Sequence, residues 1–307
     1  MNYDLGDWLP AIDAALLLVL LVCGLTVLRR IERRLAPLRI TLGLPRRKTS
    51  REEWATGAAI GWGLSVAAVL PMAFARTLNT QLWIAPRAFQ VLGFGLLTLA
   101  MTTLAHALAV YGYGFQRLID ATGPVRATLI MMALTVLHAA YTATPFGTPD
   151  GTRILVAMLS SLLLALCWLR SHGLWLVWGL SFAWAASTAV LFGLPLNGEI
   201  SYGSIVDTRA AGPAWLTGGA YGPAAAFITI FVFLAAIPIL IRATSNYAWN
   251  YTHPPLIPGG YDVTIAPPAA HVAMEQAAES AQAIHTASLV QIQTSTEQHP
   301  IAETASE

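Results

Sequence analysis

Charged residues are scarce in this sequence. Asp, Glu, Lys and Arg make up only 11% of the 307 residues, whereas 56% are hydrophobic. Water-soluble domains usually carry about 25% charged residues. This shortage excludes an ordinary soluble domain and predicts an integral membrane protein. The formal net charge is only +1, and we expect no nucleic-acid partner, because such partners are held mainly through basic surfaces.

Cysteine is rare, and the common catalytic motifs are missing. The two cysteines, Cys23 and Cys167, lie inside apolar runs, where we expect small buried side chains rather than a disulfide or a metal pair. The sequence contains no phosphate-binding loop, dinucleotide fingerprint, zinc-finger spacing or Ser–His–Asp order. We therefore predict no metal site and no cofactor that these motifs would bind.

Long apolar runs dominate the first 242 residues. A helix that crosses a membrane needs about 20 mostly apolar residues, and seven runs approach that length. They lie at about 9–28, 54–75, 88–111, 127–145, 154–169, 173–194 and 222–241. Backbone groups in lipid must be hydrogen-bonded internally, so these runs predict helices. We predict an all-α polytopic bundle of seven transmembrane helices, or eight if 195–221 enters the membrane.

The basic residues predict the orientation of the bundle in the cell (plasma) membrane. Nine of the seventeen Lys and Arg lie between Arg29 and Arg51, directly after the first apolar run. Cytoplasmic segments carry an excess of Lys and Arg, so we predict an external N-terminus and a cytoplasmic tail. The same basic run is expected to attract anionic lipid head groups, by about 1 kcal/mol per charge.

The composition divides the chain into four parts. We predict an N-terminal transmembrane anchor at 1–28, a basic cytoplasmic segment at 29–53, and a transmembrane bundle at 54–242 with an external Gly-rich loop at 195–221. The remainder, 243–307, is rich in Pro at its start and contains acids but no Lys or Arg. This composition predicts a soluble, partly disordered cytoplasmic tail.

Three segments of the bundle carry a resemblance. Residues 174–198 and 212–223 resemble the closing helices and loop of the CAAX-protease and bacteriocin-processing family of intramembrane proteases, which includes type II CAAX prenyl endopeptidases. Residues 112–124 are similar to the segment that follows this family's first catalytic motif. The resemblance covers roughly 100–240 and implies a CAAX-protease-like bundle that hydrolyses peptides with water activated by Glu and His.

The residues that the family uses for catalysis are mostly replaced. Its seven signature side chains (Glu, Glu and Arg; Phe and His; His and Asn or Asp) fall on His106, Ala107, Tyr111, Leu134, His138, Ser181 and Ala185. Only His138 keeps the family's residue type. The resemblance therefore implies a fold that is retained and a catalytic site that has degenerated.

The residues themselves support that interpretation. After Asp13, no Asp or Glu lies inside a predicted span, and His106 and His138 are the only span histidines. Water activation requires a positioned base, and a catalytic metal usually has three protein ligands. The pair Glu52–Glu53 lies in the basic segment, and we interpret it as the first turn of a helix capped by Ser50.

Three functions remain open from the sequence. We favour a non-catalytic pseudoprotease that binds or scaffolds other integral membrane proteins, within a complex. The alternative is a divergent but active intramembrane peptidase that uses His106 and His138, with or without Glu52 or Glu53, which we predict at the cytoplasmic surface. The second alternative is an accessory subunit of an energy-converting complex, photosynthetic or respiratory, that binds a pigment or haem through His106 and His138.

Overall fold

The computed structural model describes residues 8–31, 42–45, 47–82, 86–142, 144, 148–198, 206–247 and 272–281. The chain divides into two compact units, at Met1–Pro254 and Pro255–Glu307. The first unit contains the apolar runs and is described first. Of the second unit the structure describes one helix, at 272–281, and the rest of the predicted tail lies outside the described residues.

The first unit is a bundle of helices with one small sheet. The helices are α1 (Leu9–Ile31), α2 (Ser50–Phe74), α3 (Pro86–Ala107), α4 (Phe115–Thr122), α5 (Pro124–Tyr141), α6 (Asp150–Ser171), α7 (Trp175–Ala186), α8 (Ala214–Thr217) and α9 (Phe227–Ala243). The strands are β1 (Leu78–Leu82) and β2 (Val206–Ala210). Two π-helical segments, Leu108–Gly114 and Ser187–Leu191, extend α3 and α7.

Five helices of the described chain are long and apolar enough to cross a membrane. They lie at Leu9–Ile31, Ser50–Phe74, Leu92–Thr122, Pro124–Tyr141 and Asp150–Ser171. The apolar helices at Trp175–Leu191 and Phe227–Ala243 are shorter than 18 residues. This helical, apolar architecture fits a membrane protein, while a count of seven or eight spans stays a prediction.

The third apolar run continues further than the sequence indicated. The predicted span ends at about residue 111, but α3 passes through the π-helical segment into α4 without a break. Gly112 packs against the backbone of the segment before α2, because a Cβ there would be 2.9 Å from the carbonyl oxygen of Leu42. The glycine therefore serves close packing inside a helix, and the helix ends only at Gly123, where φ is 84°.

Helices α2 and α7 form the tightest crossing in the bundle. A Cβ on Gly57 or Gly61 would overlap backbone carbonyls of α7, and one on Gly179 would overlap a backbone carbonyl of α2. Small residues four apart let helix backbones approach this closely. Further along the same crossing, the hydroxyls of Ser65 and Thr188 are hydrogen-bonded at 2.9 Å and buried.

The predicted external loop contains regular structure, including one strand of a two-stranded sheet. Strand β1 pairs antiparallel with β2, with Leu78 opposite Ala210 and Leu82 opposite Val206. The sheet is a departure from the predicted all-α fold. A Cβ on Gly222, at φ 92°, would overlap the carbonyl oxygen of Pro195, so glycine is needed where the two ends of this segment meet.

Several polar segments of the chain contact each other at the opposite end of the bundle. The backbone N–H of Leu174 donates to the carbonyl of Gly43 at 2.7 Å, and the Arg47 guanidinium donates to the carbonyl of Ser171 at 2.6 Å. Arg170 donates to the hydroxyl of Thr244 at 3.1 Å. The residues before α2, the end of α6 and the end of α9 therefore meet at one end, called here the basic end.

Candidate functional site

The first set of motif positions lies where α3 becomes π-helical. His106 is exposed, whereas Ala107 and Tyr111 are 1% and 2% exposed. The Tyr111 hydroxyl is 3.4 Å from both the carbonyl oxygen and the hydroxyl of Ser161 on α6. An aromatic ring and a methyl group thus fill the positions that the resemblance assigns to Arg and one Glu.

The second set lies on the outer face of α5. Leu134 and His138 are both exposed, one turn apart on the same face of the helix. The imidazole of His106 on α3 is exposed as well. The two span histidines of the sequence therefore lie at the surface of the bundle rather than in its interior.

The third set lies in α7. The Ser181 hydroxyl donates to the carbonyl of Val177 in its own helix, and Ala185 is buried with 4% exposure. Neither side chain faces a titratable partner that the structure describes. Within the described ranges, no three His, Cys, Asp or Glu residues group together as a metal site would require.

A row of aromatic rings runs from this region to the basic end. Successive rings pack edge to face with centroids 5.5–6.4 Å apart. The row consists of His106, Tyr111, Phe115, Trp168 and His172. It fills the space between α3, α4 and α6, so the interior beside Tyr111 is occupied by packed side chains.

The Glu52–Glu53 pair lies in the first turn of α2, as the sequence predicted. The predicted cap is wrong, because Ser50 is already helical and its hydroxyl donates to the carbonyl of Pro45. Glu53 is completely buried, accepts a hydrogen bond from Thr49 at 2.9 Å and lies 3.8 Å from Arg47. The surface role expected for both acids therefore holds only for Glu52, which is exposed.

A polar cleft of about 340 Å³ opens at the basic end. Three separate segments form it: the chain before α2, the helix α4 and the end of α6. Its polar lining residues are Arg47, Gln116, Asp120 and His172, and Trp168 lies beside them. This site was not predicted from the sequence, because its residues come from three segments spread over 125 positions, from Arg47 to His172. The local signal was the polar face of 115–122.

Arg47 joins two walls of this cleft. Its guanidinium donates to the carbonyls of Ser171 and His172, at 2.6 and 3.3 Å. These carbonyls end α6, and a cation there also complements the helix dipole. His172 closes the helix in the left-handed region at φ 45°. Partial burial, and then the Arg47 charge, lower the pKa of His172 below its usual value, which favours a neutral imidazole.

No family model, curated protein or solved structure matches the chain. The resemblance to CAAX-type intramembrane proteases therefore rests on the sequence segments 112–124, 174–198 and 212–223. What the chain itself establishes is a helical architecture that fits a membrane protein, with an exposed histidine pair on the outer face and a polar cleft at one end.

Proposed function

We propose that this protein is a non-catalytic membrane subunit that binds another integral membrane protein, on the outer face that carries His106 and His138. The observation behind the proposal is the position of these two imidazoles. Both imidazoles are exposed on membrane-length helices, and the exposed residues beside His138, such as Leu134 and Leu137, are apolar. No side-chain hydrogen bond to either imidazole occurs in the described part of the chain.

Polar side chains that face lipid are costly, and membrane proteins usually cover them. A neighbouring helix offers carbonyl or hydroxyl partners, and such interhelical hydrogen bonds contribute about 1 kcal/mol each. A partner helix would therefore gain more from this face than from the middle of α1, where the exposed residues from Leu16 to Leu28 are apolar. This difference favours protein binding at α5 over simple contact with lipid.

The arrangement of acids and bases supports a non-catalytic role. Tyr111 contacts α6 at Ser161, whereas the Arg47–Glu53 pair contacts α6 at Ser171. Ten residues of helix separate these contacts by about 15 Å. Glu53 and the histidine pair near Tyr111 are thus too far apart to share one water molecule, as an active peptidase would require.

Photocrosslinking tests the proposal directly. A benzophenone amino acid at position 134, on the histidine face, should give one protein adduct of defined mass in native membranes. The same probe at position 20 of α1, which is 77% exposed, should give none. The variant His138→Leu should reduce the adduct about fivefold, as the loss of one such hydrogen bond predicts, and His172→Asn, which changes a histidine outside this face, should retain it. Equal labelling at positions 134 and 20 would refute the proposal.

The second candidate, a pigment- or haem-binding subunit, is favoured by the same pair, because neutral imidazole is a common axial ligand. An absorbance scan of the tagged protein, purified in mild detergent, distinguishes the two. A Soret-type or chlorin band that His138→Leu removes would support the cofactor, whereas a colourless protein with its adduct intact supports the protein partner.

A further inference from the structure

The cleft at the basic end presents opposite charges that do not pair with each other. Asp120, on α4, is exposed and makes no ion pair or hydrogen bond with the residues that the structure describes. The ion pair found for Arg47 is with Glu53, at 3.8 Å. A carboxylate and a guanidinium thus line one cavity from different segments, and the carboxylate has no partner of its own.

Apolar side chains form part of the lining next to these charges. Trp168 is 8% exposed and is held edge to face between Phe115 and His172, at centroid distances of 5.5 and 5.8 Å. Ile119 adds an aliphatic side chain to the same lining. Ligand pockets commonly have this composition, an apolar wall with a few fixed polar groups, and begin at about 300 Å³.

The position of the cleft favours a lipid. Asp120 is followed, after the turn at Gly123, by α5, whose first turns expose Val125 (72%) and Leu129 (58%), with the cation Arg126 exposed between them. A molecule with its polar end in the cleft therefore has both apolar helix surface and a cation beside it, as a phospholipid requires.

We propose that this cleft binds the phosphoethanolamine head group of an aminophospholipid, with the ammonium at Asp120 and the phosphate toward Arg47. A primary ammonium donates charge-assisted hydrogen bonds to a carboxylate, which a trimethylammonium group cannot do. Arginine is well suited to phosphate. A zwitterion places its ammonium beside Asp120 and its phosphate beside Arg47, which keeps its contact with Glu53, whereas a purely anionic head group would give the Asp120 carboxylate no cation and would be repelled by it.

The test uses the full-length protein labelled with 5-fluorotryptophan, in nanodiscs of phosphatidylcholine. The fluorine resonance of Trp168 is assigned by its absence in Trp168→Phe. Replacing part of the phosphatidylcholine by phosphatidylethanolamine should shift this resonance along a saturable curve. Phosphatidylglycerol, which lacks the ammonium, should not reproduce the shift.

Asp120→Asn should require at least about tenfold more phosphatidylethanolamine for the same shift, because one charge-assisted hydrogen bond is lost. Glu52→Gln is the matched control, since it neutralises an exposed acid at the same end that does not line the cleft. It should behave like the wild type. Asp120→Lys should reverse the preference, so that phosphatidylglycerol shifts the Trp168 resonance.

Soluble glycerophosphoethanolamine, added to phosphatidylcholine nanodiscs, identifies the source of the head group. A shift with the lipid alone assigns the site to membrane phosphatidylethanolamine, and an equal shift with the soluble compound assigns it to a free zwitterion of the same chemistry. The proposal is wrong if neither probe shifts Trp168, or if Asp120→Asn titrates like the wild type.

Discussion

The crossing of α2 and α7 offers a sharp test of how this bundle is held together. Gly61 lies against the backbone of Leu180: a Cβ at position 61 would be 3.1 Å from the Leu180 Cα, and closer still to its carbonyl oxygen. Carbon atoms prefer separations of about 3.5–4.0 Å. The obstacle is backbone, so no side-chain rotation relieves it, and Gly61→Ala must push the two helices apart.

Gly63 provides the matched control two positions along the same helix. A Cβ there meets no atom within 4 Å. Both substitutions gain the same intrinsic helix propensity, about 1 kcal/mol for Gly to Ala. The difference between the two variants therefore isolates the cost of overpacking, which we expect to be about 1–3 kcal/mol.

The measurement is the free energy of unfolding in mixed micelles, from SDS titrations followed by far-UV circular dichroism. Gly63→Ala should be as stable as the wild type or more stable, and Gly61→Ala should be less stable than Gly63→Ala by that difference. If Gly61→Ala proves equal to or more stable than Gly63→Ala, the helices do not cross at this glycine and the packing argued here is wrong.

Three further predictions concern other parts of the bundle. Thr188→Val should lower the free energy of unfolding by about 1–3 kcal/mol, because it leaves the buried Ser65 hydroxyl without its partner. The double variant Ser65→Ala, Thr188→Val should lose less than the sum of the two single losses, as a double-mutant cycle would measure. His138→Ala should change the free energy of unfolding by less than about 0.5 kcal/mol, because the ring is exposed, and loss of a measured peptidase activity in this variant would contradict a non-catalytic role. The pKa of His172 is lowered in the folded protein, so the unfolded chain takes up a proton first as the pH falls below about 6.5. Stability is thus lost on acidification, and His172→Asn, which tolerates the left-handed backbone, should show a smaller loss in unfolding titrations at about pH 7.5 and 5.5.

Local sequence patterns predicted the helices well, because apolar runs form helices in lipid wherever they occur. They ended the third span at about residue 111, whereas the helix continues to Thr122, because hydropathy alone does not show where a helix leaves the apolar part of its sequence. They failed again at Ser50, where the hydroxyl serves the preceding loop rather than the helix N-terminus. The number of spans, their orientation and the family resemblance stay predictions.

The candidate sites, too, could be predicted from the sequence only in part. The sequence by itself determined that only two histidines and no acids after Asp13 lie in the predicted spans, because composition requires no geometry. Only the tertiary structure decided that both imidazoles are exposed, and that Arg47 and Asp120 line one cleft. Side-chain direction and long-range contacts depend on how helices rotate and pack against each other, and no local pattern of residues specifies that.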